Sequence, residues 1–264
     1  MILLFCILLF LLIFSKRLLG KNGCSSTGDG AIIMAAGIML IGALKKFPFL
    51  AKVIGPYLVL VLLLLVLWLS SDYILDFLNG SFYIRHLQHP INSFSVGTWV
   101  AALSVTALSI ITWLPAVKPL ARFLFTLNCF LGVAYLSLLF RNYSYVFQKP
   151  GIIRKANGVV LLGCVASQSI VIAGNNLWVK FPSLVSLCLI ILGILLYIGG
   201  ILIIAGRYQY EKQEKILKNW PNTNTIIHGA ISITAWQQPP AFRLILISLH
   251  PFGSSHLSYW FVLR

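Results

Sequence analysis

The feature that most constrains this chain is the apolar block at residues 182–206, which contains no charged side chain. A helix that crosses a bilayer needs about 20 consecutive apolar residues. Hydrophobic residues make up 59% of the 264 residues and charged residues 9%, which excludes a soluble enzyme, a disordered chain and a disulfide scaffold. The sequence predicts an all-α integral membrane protein with about seven to eight transmembrane helices. Its apolar blocks are 2–14, 30–44, 56–76, 93–114, 119–140, 157–178, 182–206 and one beginning near Asn222.

The polar content of these blocks alternates along the chain. Small and polar residues are common in 30–44, 93–114, 157–178 and the last block, whereas 56–76 and 182–206 are plain and 119–140 is intermediate. Helices that line a pore must tolerate water, and helices around them must tolerate lipid. The alternation therefore predicts repeated hairpins, each made of an inner helix followed by an outer helix.

The chain is basic, with 20 Lys and Arg against 5 Asp and Glu and a formal charge of +15. Because the basic residues lie between apolar blocks, they orient helices and meet anionic lipid rather than nucleic acid. Twelve of them lie in one set of alternate linkers and six in the other. The positive-inside rule places the richer set in the cytoplasm, so that the inner helices run outward. The richer linkers are 15–29, 77–92, 141–156 and 207–221, and the poorer ones are 45–55, 115–122 and 179–181.

The acids are few, and none lies at the centre of an apolar block; they are Asp29, Asp72, Asp76, Glu211 and Glu214. A conduit for cations or protons usually needs carboxylates within the membrane, so an anionic or neutral cargo is favoured. Asp72 and Asp76 lie one turn apart at a block boundary, where we expect a solvated helix end. An alternative is a lipid-processing enzyme in which Asp72, Asp76 or His228 reacts. No motif in the sequence indicates a cofactor or a metal site.

Polar residues recur at helical spacing in three of the inner blocks. A hydroxyl stripe on one face can bond a passing anion weakly, or it can pack helices and bond its own backbone carbonyls. A mid-membrane amide can line a pore or make an interhelical hydrogen bond, and a lone His can meet an anion or pack a helix. The pore-lining candidates are Ser95, Thr98, Ala102, Thr106, Gln168, Asn175, Thr225, His228 and Ser232.

Four segments resemble the tellurite-resistance/dicarboxylate transporter family, which includes plant slow anion channels and fungal malate permeases. They are GAIIMAAGIMLIG at 30–42, His89-Pro90 followed by SFSVGTWVAA at 93–102, NGVVLLGCVASQSIVI at 157–172, and NTNTIIHGAISIT at 222–234. The resemblance implies a multi-pass protein of the plasma membrane that conducts or carries small anions such as C4-dicarboxylates, without enzymatic activity.

The family fold implied is ten helices in five hairpins around a central pore, usually as a homotrimer in membrane lipid. Odd-numbered helices line the pore, and a phenylalanine on the ninth helix plugs it. If block 30–44 corresponds to the first helix of the family fold, this chain extends only to the seventh helix of that fold. We therefore expect three regions: an extra N-terminal segment at 1–27, an incomplete transporter domain at 28–235, and an irregular, frameshifted tail at 236–264. A chain lacking three helices is expected to be unstable, to need a partner that supplies them, or to be a non-functional gene product.

Overall fold

The computed structural model describes residues 26–154, 156–178, 181–210 and 226–237. Nearly all of these residues are helical, and none of them lies in a strand. The main helices are α1 (Gly30–Ile41), α2 (Pro48–Leu78), α3 (Pro90–Trp113), α4 (Lys118–Gln148), α5 (Gly158–Leu177), α6 (Ser183–Tyr210) and α7 (Ile226–Gln237). The predicted extra N-terminal segment and irregular tail fall almost wholly outside the described residues.

Five of these helices are long and apolar enough to cross a membrane, namely α2 to α6. The all-α membrane class predicted from the sequence is thereby confirmed. Helices α1 and α7 have 12 residues each within the described part of the chain.

The helices begin where local chemistry allows a helix to begin. Pro48 and Pro90 occupy first-turn positions, where the missing N–H costs no hydrogen bond and the fixed φ suits a helix. His89 is extended and Pro90 follows it as the first residue of α3, so the helix begins at this pair. The side chain of Asn157 accepts a hydrogen bond from the Val159 N–H (3.0 Å), which caps the start of α5.

Burial alternates from helix to helix. In their most apolar stretches, 83% of the residues of α3 and of α5 are buried, against 33% in α2 and 22% in α4 and in α6. The inner helices pack in chain order, α1 on α3, α3 on α5 and α5 on α7, while α2, α4 and α6 lie outside them. The predicted arrangement of inner and outer helices is confirmed, because polar and small residues are cheapest where other helices cover them.

Two glycines bring α1 close to α3. A methyl group on Gly30 would lie 2.7 Å from Oγ1 of Thr98, and one on Gly37 would overlap Val105. Since seven residues are close to two helical turns, both glycines face α3. The small residues of α1 therefore serve helix packing at this contact.

Candidate functional site

The predicted hydroxyl stripe of α3 lies inside the helical core. Ser95, Thr98, Ala102 and Thr106 are all buried. Oγ1 of Thr98 donates to the Ser95 carbonyl (2.7 Å), and Oγ1 of Thr106 donates to the Ala102 carbonyl (2.8 Å). Each threonine thus satisfies its proton on the preceding turn of its own helix, which is one of the two alternatives open from the sequence.

Gln168 of α5 is fully buried, and it is directed toward an outer helix. Its Nε2 donates to the carbonyl of Ile190 in α6 (3.3 Å). Gly193 of α6 makes room for this amide, because a methyl group there would overlap the Gln168 Nε2. The Gln168 amide therefore makes an interhelical hydrogen bond, which is one of the two alternatives open from the sequence, because an amide in hydrocarbon must find a partner and the α6 backbone supplies one.

The remaining candidates lie apart from the stripe. Asn175 is exposed near the end of α5, and His228 is exposed on α7. Thr225 lies outside the described residues, and so does the side chain of Ser232. Helix α7 packs on α5, with the Ala230 carbonyl 3.9 Å from Sγ of Cys164. His228 is therefore carried by a helix of the inner set.

The inner helices are free of charged residues over their described lengths: α1, α3, α5 and α7 contain no Asp, Glu, Lys or Arg. Asp29 immediately precedes α1 and accepts a hydrogen bond from the Ser26 N–H (2.8 Å). Asp72 and Asp76 lie in the outer helix α2. A path between these inner helices would thus meet no carboxylate from their described residues, so these helices would not repel anions.

The acid pair at the end of α2 differs from the prediction. Both Asp72 and Asp76 are buried, so the expectation of a solvated helix end is wrong. Oδ1 of Asp76 is 2.5 Å from Nη1 of Arg85, and Oδ2 is 3.0 Å from Nε2 of His86. The chain folds back on itself after α2, and two successive basic residues reach the Asp76 carboxylate. A buried carboxylate is tolerated because it is paired and hydrogen-bonded.

His86 extends this cluster to the start of the inner helices. Its Nδ1 lies 2.9 Å from Oγ1 of Thr27, and both residues are buried. Tyr73 of α2 donates to the Ser26 carbonyl and accepts from the indole N–H of Trp99 in α3 (3.2 Å). Hydroxyl, imidazole and carboxylate stand in the order of a hydrolytic triad, but the hydroxyl of Thr27 is covered by protein. The cluster therefore fastens the segment before α1 to α2 and the following loop.

Another buried polar contact joins α3 to α4. Nδ2 of Asn128 donates to Oγ of Ser104 (2.8 Å), and both side chains are fully buried. Oδ1 of Asn128 has no hydrogen-bond partner among the described residues. An amide in the middle of an apolar block was a visible signal for such a contact, although the partner was not.

The described residues include no group of three or more His, Cys, Asp or Glu side chains that could hold a metal ion. The site is thus a set of uncharged inner helices with hydroxyl groups bonded to their own backbones. Such groups can contact a solute through weak hydrogen bonds.

Comparison with known proteins supplies one match. A family model described as voltage-dependent anion channel matches residues 30–237. No curated protein and no solved structure matches the chain. The matched region covers the seven helices from α1 to α7.

Proposed function

Since the chain belongs to the voltage-dependent anion channel family, we propose that it conducts small anions, among them organic acids such as C4-dicarboxylates, along a path between its inner helices. The observation that carries this proposal is the absence of any carboxylate from the described lengths of α1, α3, α5 and α7. An anion in low-dielectric surroundings is not stabilised by carboxylates, and it needs hydrogen-bond donors.

The donors proposed are the hydroxyls of α3, chiefly Thr98 and Thr106, with Ser95 and His228 at other positions of the inner set. Each threonine proton is held by a backbone carbonyl of the preceding turn. A hydroxyl rotates to donate to an anion and then returns to its carbonyl, so that contact with the anion is weak and reversible. The net worth of one such hydrogen bond is about 1 kcal/mol, low enough to let the anion leave.

The basic linkers act together with this path. The formal charge of +15 raises the local concentration of anions at both ends of the helices. We propose the plasma membrane as the location, tellurite-related oxyanions as an alternative cargo, and a homotrimer as the assembly. These three proposals rest on the family resemblance and not on a contact within the chain.

The test is flux through purified protein in proteoliposomes, with malate and chloride measured in parallel. Thr106→Val removes the donor while keeping the shape of the side chain, and we expect it to reduce flux by about fivefold, the equivalent of one hydrogen bond. Thr126→Val is the matched control. Thr126 donates to the carbonyl four residues earlier, as Thr106 does, but it is exposed on the outer helix α4.

Equal flux from the Thr106 and Thr126 variants would contradict a path along the α3 stripe. Flux of chloride without malate would keep the anion channel and remove the dicarboxylate cargo. No flux of either anion from the wild-type chain, at normal helical content, would contradict the function itself.

A further inference from the structure

An apolar groove of ≈ 240 Å³ lies between the outer helices α4 and α6. Its floor is formed by inner-helix residues, including Val100 of α3 and Ala166 of α5, and its lining is almost wholly apolar. The mouth faces away from the core, because Val133 on α4 and Val185 on α6 are 68% and 44% exposed. The groove is therefore a recess in the surface that these spans present to the bilayer.

The groove exists because the two outer helices pack on inner helices rather than along each other. Contacts close the groove at its two ends. The rings of Phe125 and Phe181 meet edge to face at 6.2 Å near one end, and the Tyr143 hydroxyl donates to the Leu196 carbonyl (3.1 Å) near the other. Gly132 lets α4 pack closely on α5 at the floor of the groove, since a methyl group there would lie 2.7 Å from Ile170.

An acyl chain matches the shape and chemistry of this groove. An apolar cavity of roughly 150 Å³ already takes up a benzene-sized hydrocarbon instead of water. A helix of another chain, about 10 Å across, is too wide to enter a recess of this size. The solvent at this depth of the membrane is lipid hydrocarbon.

Two cations lie above the groove on the face of α4 that lines it. Lys118, Arg122, Cys129, Val133 and Leu136 follow one another at spacings of 4, 7, 4 and 3 residues, which puts them on one side of the helix. Arg122 is two turns, about 10 Å, from the groove residue Cys129. Both cations are exposed, and neither pairs with an acid in the described part of the chain.

We propose that this groove binds an anionic phospholipid, with one acyl chain between α4 and α6 and the phosphate headgroup at Lys118 and Arg122. The lipid fills the space that separates the two outer helices and rests on the inner helices α3 and α5. The site is separate from the proposed anion path, because it opens toward the bilayer and the path runs between the inner helices.

The experiment uses the full chain in mild detergent with equal amounts of phosphatidylglycerol and phosphatidylcholine, and counts bound lipids by native mass spectrometry. We expect one phosphatidylglycerol per chain, preferred over phosphatidylcholine. Arg122→Gln should reduce that preference by about fivefold, the effect of one basic residue near an anionic headgroup. Val133→Trp should reduce retention of both lipids, because the indole occupies the mouth of the groove.

Two matched control variants distinguish lipid binding in the groove from general effects of charge and of side-chain size. Lys52→Gln removes an exposed cation on α2, and Phe130→Trp enlarges a lipid-facing residue of α4 that does not line the groove. Both should retain lipid as the wild type does, with unchanged far-UV circular dichroism in all variants.

Equal retention of the two lipids by the wild type would overturn the headgroup site. Retention that Val133→Trp leaves unchanged would overturn the groove. A lipid-free oligomer that Val133→Trp dissociates would show that a second copy covers the groove, and would likewise overturn the proposal.

Discussion

Replacing Asp76 by Ala removes the carboxylate that the fold buries at the end of α2. His86 then keeps a buried ring N–H without its acceptor 3.0 Å away, and an unsatisfied buried group costs about 1–3 kcal/mol. The side chain of Arg85 is 42% exposed, so its ion pair contributes only about 0–1 kcal/mol. We expect the free energy of unfolding to fall by roughly 1–4 kcal/mol. Asp76→Asn, which keeps an acceptor oxygen and the shape of the side chain, should lose about 1 kcal/mol.

The assay is denaturant unfolding in detergent, followed by far-UV circular dichroism. A double-mutant cycle separates the two partners: the coupling of Asp76 with His86 should be about 1–2 kcal/mol, and that with Arg85 below about 1 kcal/mol. Asn79→Ala, an exposed polar residue just after α2, is the control and should change little. If the free energy of unfolding of Asp76→Ala lies within about 0.5 kcal/mol of the wild-type value, as for ordinary surface substitutions, the buried Asp76 carboxylate does not stabilise the fold through these partners.

Three further predictions concern helix packing and topology. Gly193→Ala should destabilise α6 against α5 by about 1–3 kcal/mol, because the new methyl group overlaps the Gln168 amide; the same unfolding assay measures it, and an unchanged stability would contradict the contact. Asn128→Leu should cost about 1 kcal/mol or less, since membrane hydrogen bonds are weak and the Ser104 hydroxyl can bond its own helix; a larger loss would show that the amide is indispensable. A cysteine at Lys149 should react with a membrane-impermeant maleimide only after the cells are opened, because the basic linkers are predicted to be cytoplasmic; labelling of intact cells would reverse the topology.

The sequence by itself determined the class, the helices and their alternation. Uncharged stretches such as 182–206 exceed the length of a membrane span, so their helical state follows from the cost of an unsatisfied backbone in lipid. The polar content of 93–114 and 157–178 separated inner from outer helices before any contact was known, because polar groups avoid hydrocarbon. The resemblance to an anion transporter family was carried by the same segments, and the family match confirms it.

The tertiary structure decided where each polar side chain finds its partner. Asp76 was expected in solvent and is buried, since the loop after α2 returns His86 and Arg85 to it. The sequence left open whether the Gln168 amide contacts a pore or another helix, and the structure places it against the Ile190 carbonyl of α6, 22 residues away. No sequence pattern predicts the groove between α4 and α6, because the groove depends on the distance between these two helices. Helical propensity and hydropathy are local properties, whereas a hydrogen bond between helices depends on which faces the folded chain brings within about 3 Å of each other.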